Sequence, residues 1–375
     1  MIKCCVNCVM DETDPNIFFD ESGFCNHCQN YYKNIEPFLN NENERRKILE
    51  KKIFEIKKQN KNKEFDCVIG VSGGVDSSYM LHLAVTKYQL RPLVFHVDAG
   101  WNSVVAIGNI EKLVDKLNLT LHTKVIYWPE MRDLQLSFFK AQVPHLDTPQ
   151  DHAFFASTYN YCAKYKINNI LNGGNFATEC VREPLEWHYH ASDLYHLKEI
   201  HKNFGKKELK KFPLCGIFKY KLYYRYFKNI KVLQPLNHIN YNKDLAVRTL
   251  EKEYNWKPYS HKHYESRFTK FYEGYWLLKK FGYDKRKAHF SSLILNNQMS
   301  RDNALNQLQS SPLTNEEIKN EKNFVANKLN ITEHQLDEYF NGPNKSFKDY
   351  KSHYSIINFF TKIVQFFGIE KRVIQ

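Results

Sequence analysis

The sequence predicts an α/β protein: a parallel sheet, preceded by a small cysteine module and followed by a helical C-terminal region. Three observations carry this. Two C-x2-C pairs stand within the first 28 residues. Between about residues 65 and 171, short apolar runs alternate with helical patterns. After about residue 240 the strand signals fade into long helical patterns rich in Lys, Tyr and Phe. The 375 residues, 42% hydrophobic and 15% aromatic, are enough for a real core and exclude wholesale disorder. The pattern divides the chain into a cysteine module (1–32), a helical linker (33–64), an α/β domain (65–240) and a helical substrate or partner region (241–375).

The cysteine module comes first. Cys5 and Cys8 form one C-x2-C turn, and Cys25 and Cys28 form another sixteen residues on. Four thiolates suit tetrahedral zinc, and the spacing is that of a zinc ribbon. Four thiolates leave no open position, so this Zn2+ is structural. Cys4 could replace Cys5 in another register, and His27 is a spare candidate. Nine cysteines, five of them crowded at the start, read as metal-site usage in a reducing compartment rather than a disulfide framework. With no apolar leader at Met1–Cys5 and no membrane-length run, the expected location is the cytoplasm and no membrane partner is expected. The apolar stretch 356–369 reads as a packing helix.

Residues 33–64 carry apolar positions at helical spacing within a Lys- and Glu-rich background. Phe65 to Val71 reads as a buried strand, Asp76 to Tyr88 as a helix, Pro92 to Val97 as a strand and Val104 to Leu117 as a helix. Leu121 to Ile126 and Ile167 to Leu171 read as further strands. Ligands of such a sheet bind at the strands' C-terminal ends. There, after the first strand, stands Ser72-Gly-Gly-Val-Asp-Ser-Ser78. Adjacent glycines let backbone amides form a concave nest, and the following helix adds its positive end. This is a pyrophosphate cradle without the lysine of a Walker A loop. The loop resembles the SGGxDS signature of the PP-loop ATP pyrophosphatases, which cleave ATP between the α- and β-phosphates and pass AMP to a carbonyl or amide oxygen. The resemblance implies that Ser72, Gly73, Gly74, Asp76, Ser77 and Ser78 hold pyrophosphate, with Asp76 helping to bind Mg2+. It also implies that Gly70, Val71 and Val97 flank adenosine. Asp98, at a strand end, either binds ribose or metal or caps the next turn.

Further blocks follow. Asn172 to Glu179 places Gly173, Gly174 and Asn175 after a strand, a pattern for close backbone approach to a ligand. Asp151-His152, at a helix start, serves either acid–base work or a polar cap. Lys262, His263, Glu265 and Arg267 crowd into six residues, read either as a solvated helix face or as site residues interleaved with aromatics. Together with the cysteine pairs, the His96 to Asn102 segment and the Phe281 to His289 segment, these blocks resemble the N-acetyl sugar amidotransferases of bacterial surface-glycan biosynthesis. That group includes the pseudaminic acid amidotransferase. The resemblance runs from residue 4 to about 305.

What this resemblance implies is conversion of the acetamido group of a nucleotide-linked sugar to an acetamidino group. ATP adenylates the amide oxygen, and ammonia displaces AMP. Lys262 and Arg267 are then candidates for phosphate or sugar-anion contacts. Glu179, His263 and Glu265 are candidates for taking the proton from ammonia. No cysteine stands in a glutaminase pattern, so the resemblance implies a separate glutaminase subunit and allows a cyclase-like companion. The formal charge of +13 favours anionic partners but chooses none, and genome composition explains it equally well. The main rival is a zinc-containing PP-loop tRNA thiolase, although nucleic acid is not the expected partner: no C-x2-C pair follows the loop to carry sulfur.

Overall fold

A computed structural model describes residues 2–359. Five parallel strands form one sheet: β1 (Cys67–Gly70), β2 (Pro92–Asp98), β3 (Leu121–Val125), β4 (Asn169–Leu171) and β5 (Lys231–Leu233), in the order β3-β2-β1-β4-β5. The helices after β1 and β2 follow the sequence reading closely, at Val75–Thr86 and Val104–Lys116, and β3 is followed by a helix at Trp128–Ala141 that the sequence reading did not name. The strand β5 was not expected. It is three residues long at the sheet's edge, and Lys231 and Val232 are exposed, so it carries no buried apolar run.

Alternation along the strands makes two cores. Val68, Leu93, Phe95 and Ile170 point to one face, where they meet the helices Trp128–Ala141 and Thr148–Lys164. Cys67, Ile69, Val94 and Leu171 point to the other, against helices Glu42–Gln59, Val75–Thr86, Val104–Lys116 and Lys243–Tyr254. Burial on both faces is what permits short, all-parallel strands. The C-terminal helices are not a separate layer. Phe268, Phe271, Tyr272 and Trp276 belong to the first core, together with Val325 and Leu329 from helix Asn315–Leu329.

In this strand order the chain's direction of winding reverses between β1 and β4. That opens a crevice at their C-terminal ends. The buried guanidinium of Arg45 shapes one side of it. Arg45 donates to the carbonyls of Leu39, Asn237 and Ile239, pinning the loop after β5 to the linker helix.

The N-terminal module folds around Cys5, Cys8, Cys25 and Cys28, all buried. Their sulfurs lie 3.6–3.7 Å apart along three edges and within 4.8 Å overall. Sulfurs about 2.3 Å from one zinc ion sit about 3.8 Å from each other in a tetrahedron, so this quartet fits the metal. Cys4 stays outside the quartet, beside Arg301, and His27 is held by Asp14 at 2.8 Å. The module docks on the rest of the chain through its backbone carbonyls. Arg301 donates to the carbonyls of Cys5 and Cys8, and the Trp187 indole donates to the Thr13 carbonyl. Among the described residues no helix is long and apolar enough to cross a membrane. Most of the apolar stretch 356–369 lies outside the described residues.

A strong metal chelator should unfold the module and uncover Trp187, which is fully buried. The measurements are a red shift in tryptophan emission and a fall in thermal midpoint. Both should be reproduced by Cys25→Ala, and an unchanged spectrum would show that the thiols hold the module without metal.

Candidate active site

The loop after β1 is the floor of the site. Gly73 takes φ +84°, and a Cβ there would sit 2.6 Å from the Ala106 carbonyl oxygen, so only glycine fits. Its own carbonyl accepts from the Tyr259 hydroxyl at 3.1 Å. The Ser72 hydroxyl accepts from the Gly74 amide and lies 3.3 Å from the Ser77 hydroxyl. The helix Val75–Thr86 starts here, so its free amides open toward the crevice.

A second loop closes over the first. Gly173 runs against the backbone of the first loop: a Cβ on it would stand 2.8 Å from the Asp76 carbonyl carbon. Asn175 caps the short helix that follows by accepting from the Thr178 amide, and its amide nitrogen reaches Asp76 Oδ1 at 3.3 Å. Asp76 also accepts from the Tyr241 hydroxyl at 2.5 Å. Burial pushes the Asp76 carboxyl up, while the nearby Lys262 ammonium pulls it back. Lys262 itself bonds Glu179 at 2.6 Å. Burial opposes its charge, but Glu179 and Asp76 outweigh burial and hold its pKa above the ordinary lysine value.

The segment 260–266 forms the third wall. It is not a helix face. It is a turn in which His263 takes φ +64°, and the helix begins only at Arg267. Glu265 is carried inward until its Oε1 accepts from Ser72 Oγ at 3.3 Å and fills the space over Gly74. Burial raises its pKa to about 7. His263 is driven well below the ordinary histidine range by burial and by Lys262 and Lys285, so it stays neutral at pH 7.

Three adjoining cavities meet at His263. One of about 290 Å³ lies over Ser72, Gly74, Asp76 and Ser77 and reaches Gly173, Gly174 and Lys262. One of about 500 Å³ lies against Gly70, Val71 and Val97 and runs back to Asp151. One of about 420 Å³ opens past Glu179 toward Arg286 and His289. Between the last two lies a charge network that sequence reasoning missed. Lys285 Nζ stands 2.9 Å from both Glu183 and Glu273. His188 joins Glu183 to Asp151, whose carboxyl burial lifts to about 7. Burial and Lys285 push His188 down to about 4. The only signal for Lys285 was its place in the Phe281 to His289 block. Glu183 and Glu273 stood in no motif.

Three expected contacts are not in place, and each has a local cause. Ser78 is fully buried on the inner side of its helix and reaches no cavity. Asp98 caps its own turn, accepting from the Gly100 amide and the Asn102 side chain. Arg267 points away from the cavities, 2.9 Å from Glu321 and 3.6 Å above the Phe324 ring. In the Asp151-His152 pair the histidine is a structural group, bonded to the Ala191 carbonyl and the Cys215 amide.

Comparison with known proteins joins two parts of this site. Residues 66–169 match the phosphoadenosine phosphosulfate reductase domain. Residues 265–364 match the family described as LPS biosynthesis protein WbpG-like, C-terminal domain. Together these matches support a WbpG-like PP-loop family of lipopolysaccharide biosynthesis. No curated protein matches it. Among solved structures it is similar to the NH3-dependent NAD synthetase of Campylobacter jejuni, at 17% identity over 80% of this chain and 98% of that one, with a TM-score of 0.30. It is also similar to the NMN synthetase of Francisella tularensis, at 16% identity over 60% of this chain and 99% of that one, with a TM-score of 0.29. The glycine loop after β1 lies within the first match. The second match begins at Glu265, the residue that touches the loop.

Two predictions follow from this geometry. Gly173→Ala pushes the two loops apart, and overpacking of this kind costs about 1–3 kcal/mol. ATP affinity measured by calorimetry should fall roughly tenfold or more, and unchanged affinity would show that the loops need not touch. The second concerns Glu265. Its folded pKa lies above its unfolded value of 4.5, so the folded state binds more protons between about pH 4.5 and 7. Stability should therefore fall as pH rises through that window. Glu265→Gln should remove its share, on the order of 2 kcal/mol, as seen in denaturant titrations at pH 5 and 8. Parallel pH profiles for the two proteins would contradict the raised pKa.

Proposed function

We propose that the protein is an ATP-dependent amidotransferase, a C–N ligase that forms AMP and converts the acetamido group of an N-acetyl sugar to an acetamidino group in surface-glycan biosynthesis. One observation carries the reading: the ATP loop and the first residue of the WbpG-like region close over a single site, Ser72 against Glu265. A nucleotide bound by one part is therefore presented to groups supplied by the other.

The chemistry needs an activated oxygen, because an amide oxygen does not leave unaided. The acetamido oxygen attacks the α-phosphorus of ATP, the bond from that phosphorus to the bridging oxygen breaks, and pyrophosphate departs. The product is an O-adenylyl imidate. Ammonia then adds to the imidate carbon, the C–O bond breaks, AMP leaves, and an amidinium remains. The loop amides and the Ser72 and Ser77 hydroxyls suit departing pyrophosphate. Asp76 and Glu179 are the carboxylates suited to Mg2+, which would neutralise phosphate charge. Lys262, beside both, suits the α-phosphate. Gly70, Val71 and Val97 bound a cavity large enough for adenosine.

Glu265 is our choice of proton acceptor. Ammonia that has added to carbon carries an acidic proton, and a carboxylate with pKa about 7 is half-ionised at neutral pH and close to the site. Neutral His263 is the second choice, since it keeps a free acceptor nitrogen at pH 7. Arg267 has no part in this scheme.

The other cysteines favour amide over sulfur chemistry. Burial pushes the thiol of Cys180, the one nearest the second loop, up to about 12, and that of Cys215 up to about 11. Neither is a nucleophile at neutral pH. The same observation supports a separate glutaminase subunit as the ammonia source, with a cyclase-like companion allowed.

Purified protein with Mg-ATP, an ammonium salt and a panel of N-acetylated sugar nucleotides should replace one substrate oxygen by NH, with matching AMP and pyrophosphate, read by mass spectrometry. Glu265→Gln should retain ATP binding and lose most amidine formation. AMP formation with bulk tRNA and none with any sugar would favour the thiolase instead.

A further inference from the structure

The charge of this protein is concentrated in one place. From Leu209 through Val232 the chain carries seven Lys or Arg and no Asp or Glu. The centre of that stretch is the π-helical segment Lys219–Phe227. It has an inner and an outer face. Tyr220 and Tyr224 pack inward on Tyr159, and the Tyr224 hydroxyl donates to Asn160. The outer face is apolar and open: Phe218 is 65% exposed, Leu222 55%, Tyr226 76% and Phe227 73%. With Tyr223 this makes five exposed large apolar side chains in ten residues, more than in any other stretch of that length among the described residues. The basic side chains of Lys221, Arg225 and Lys228 rise between them, all exposed.

We infer that this face docks on the surface of an anionic phospholipid bilayer. A soluble fold gains nothing by leaving Phe218, Tyr226 and Phe227 in water, and a contiguous patch of this kind marks a binding surface. Charge selects the occupant. Aromatic rings interleaved with Lys and Arg, with no acidic residue among them, match an interface that is apolar below and negative above. This departs from the sequence-level expectation of no membrane partner. It requires no spanning helix.

The fold's polarity supports the orientation. The Lys228 carbonyl accepts from Asn168, just before β4, and Lys231 begins β5. The patch therefore lies at the N-terminal end of the sheet. The ATP loop lies at the C-terminal end, beside Asn172 after β4. A protein seated on this face keeps its active site open to the aqueous side.

The test is co-sedimentation of the full chain with vesicles of pure phosphatidylcholine and with vesicles containing phosphatidylglycerol. Binding should be more than about tenfold stronger to the anionic vesicles and should weaken in high salt. The triple variant Phe218→Ser, Tyr226→Ser, Phe227→Ser should lose it, as should Lys221→Gln, Arg225→Gln, Lys228→Gln. Both variants should keep the wild-type ATP affinity and thermal midpoint, since none of these side chains is buried. No binding to anionic vesicles would overturn the inference, and so would binding that both variants retain. A concentration-dependent dimer abolished by the serine substitutions, without vesicle binding, would also overturn it and make the patch a protein interface.

Discussion

The site rests on the approach of Glu265 to Ser72, across 193 residues of sequence. The contact is possible only because the loop has no side chain at Gly74, where a Cβ would stand 2.9 Å from the carboxylate. It sets the rest of the geometry. Bringing Glu265 inward places His263 in a left-handed turn and Lys262 beside Glu179 and Asp76. The same tight packing removes water from Glu265 and raises its pKa. One close approach therefore shapes the cavity and tunes its acid–base group.

The charges around the site are arranged in pairs rather than scattered. Asp76, Glu179 and Lys262 form one group, and Glu183, Glu273 and Lys285 another. A buried charge without a partner is expensive, so each lysine sits against two carboxylates. The consequence is a pre-set field. Phosphate entering near Lys262 meets a cation already oriented, and no rearrangement is needed when charge moves onto the leaving group. The cysteine module contributes indirectly. It is clamped by Arg301, and Lys287 pairs with Asp11 two residues before His289, which lines two of the cavities.

Much of the fold and part of the site were legible in the sequence, and the limits have physical reasons. The strands β1, β2 and β4 are short runs buried on both faces, which their composition reveals, whereas the edge strand β3 has no buried residue. The edge strand β5 has one buried residue and gives no such signal. The glycine loop was legible because backbone geometry there demands glycine at fixed positions. Ser78 was over-read, since the loop's pattern continues into a helix whose rotation turns that side chain into the core. Arg267 was over-read for a similar reason: it is the first residue of a helix and faces Glu321. The network of Lys285, Glu183 and Glu273 was illegible because its members come together only through tertiary packing.

The most direct measurement follows the acetamido oxygen itself. With a substrate carrying 18O in the acetamido carbonyl, adenylation at that oxygen requires the label to leave with AMP, one 18O per amidine formed. Mass spectrometry of the nucleotide product should find it there and should find none in pyrophosphate. Unlabelled AMP alongside amidine product would contradict the adenylated intermediate and with it the role assigned to the meeting of Ser72 and Glu265.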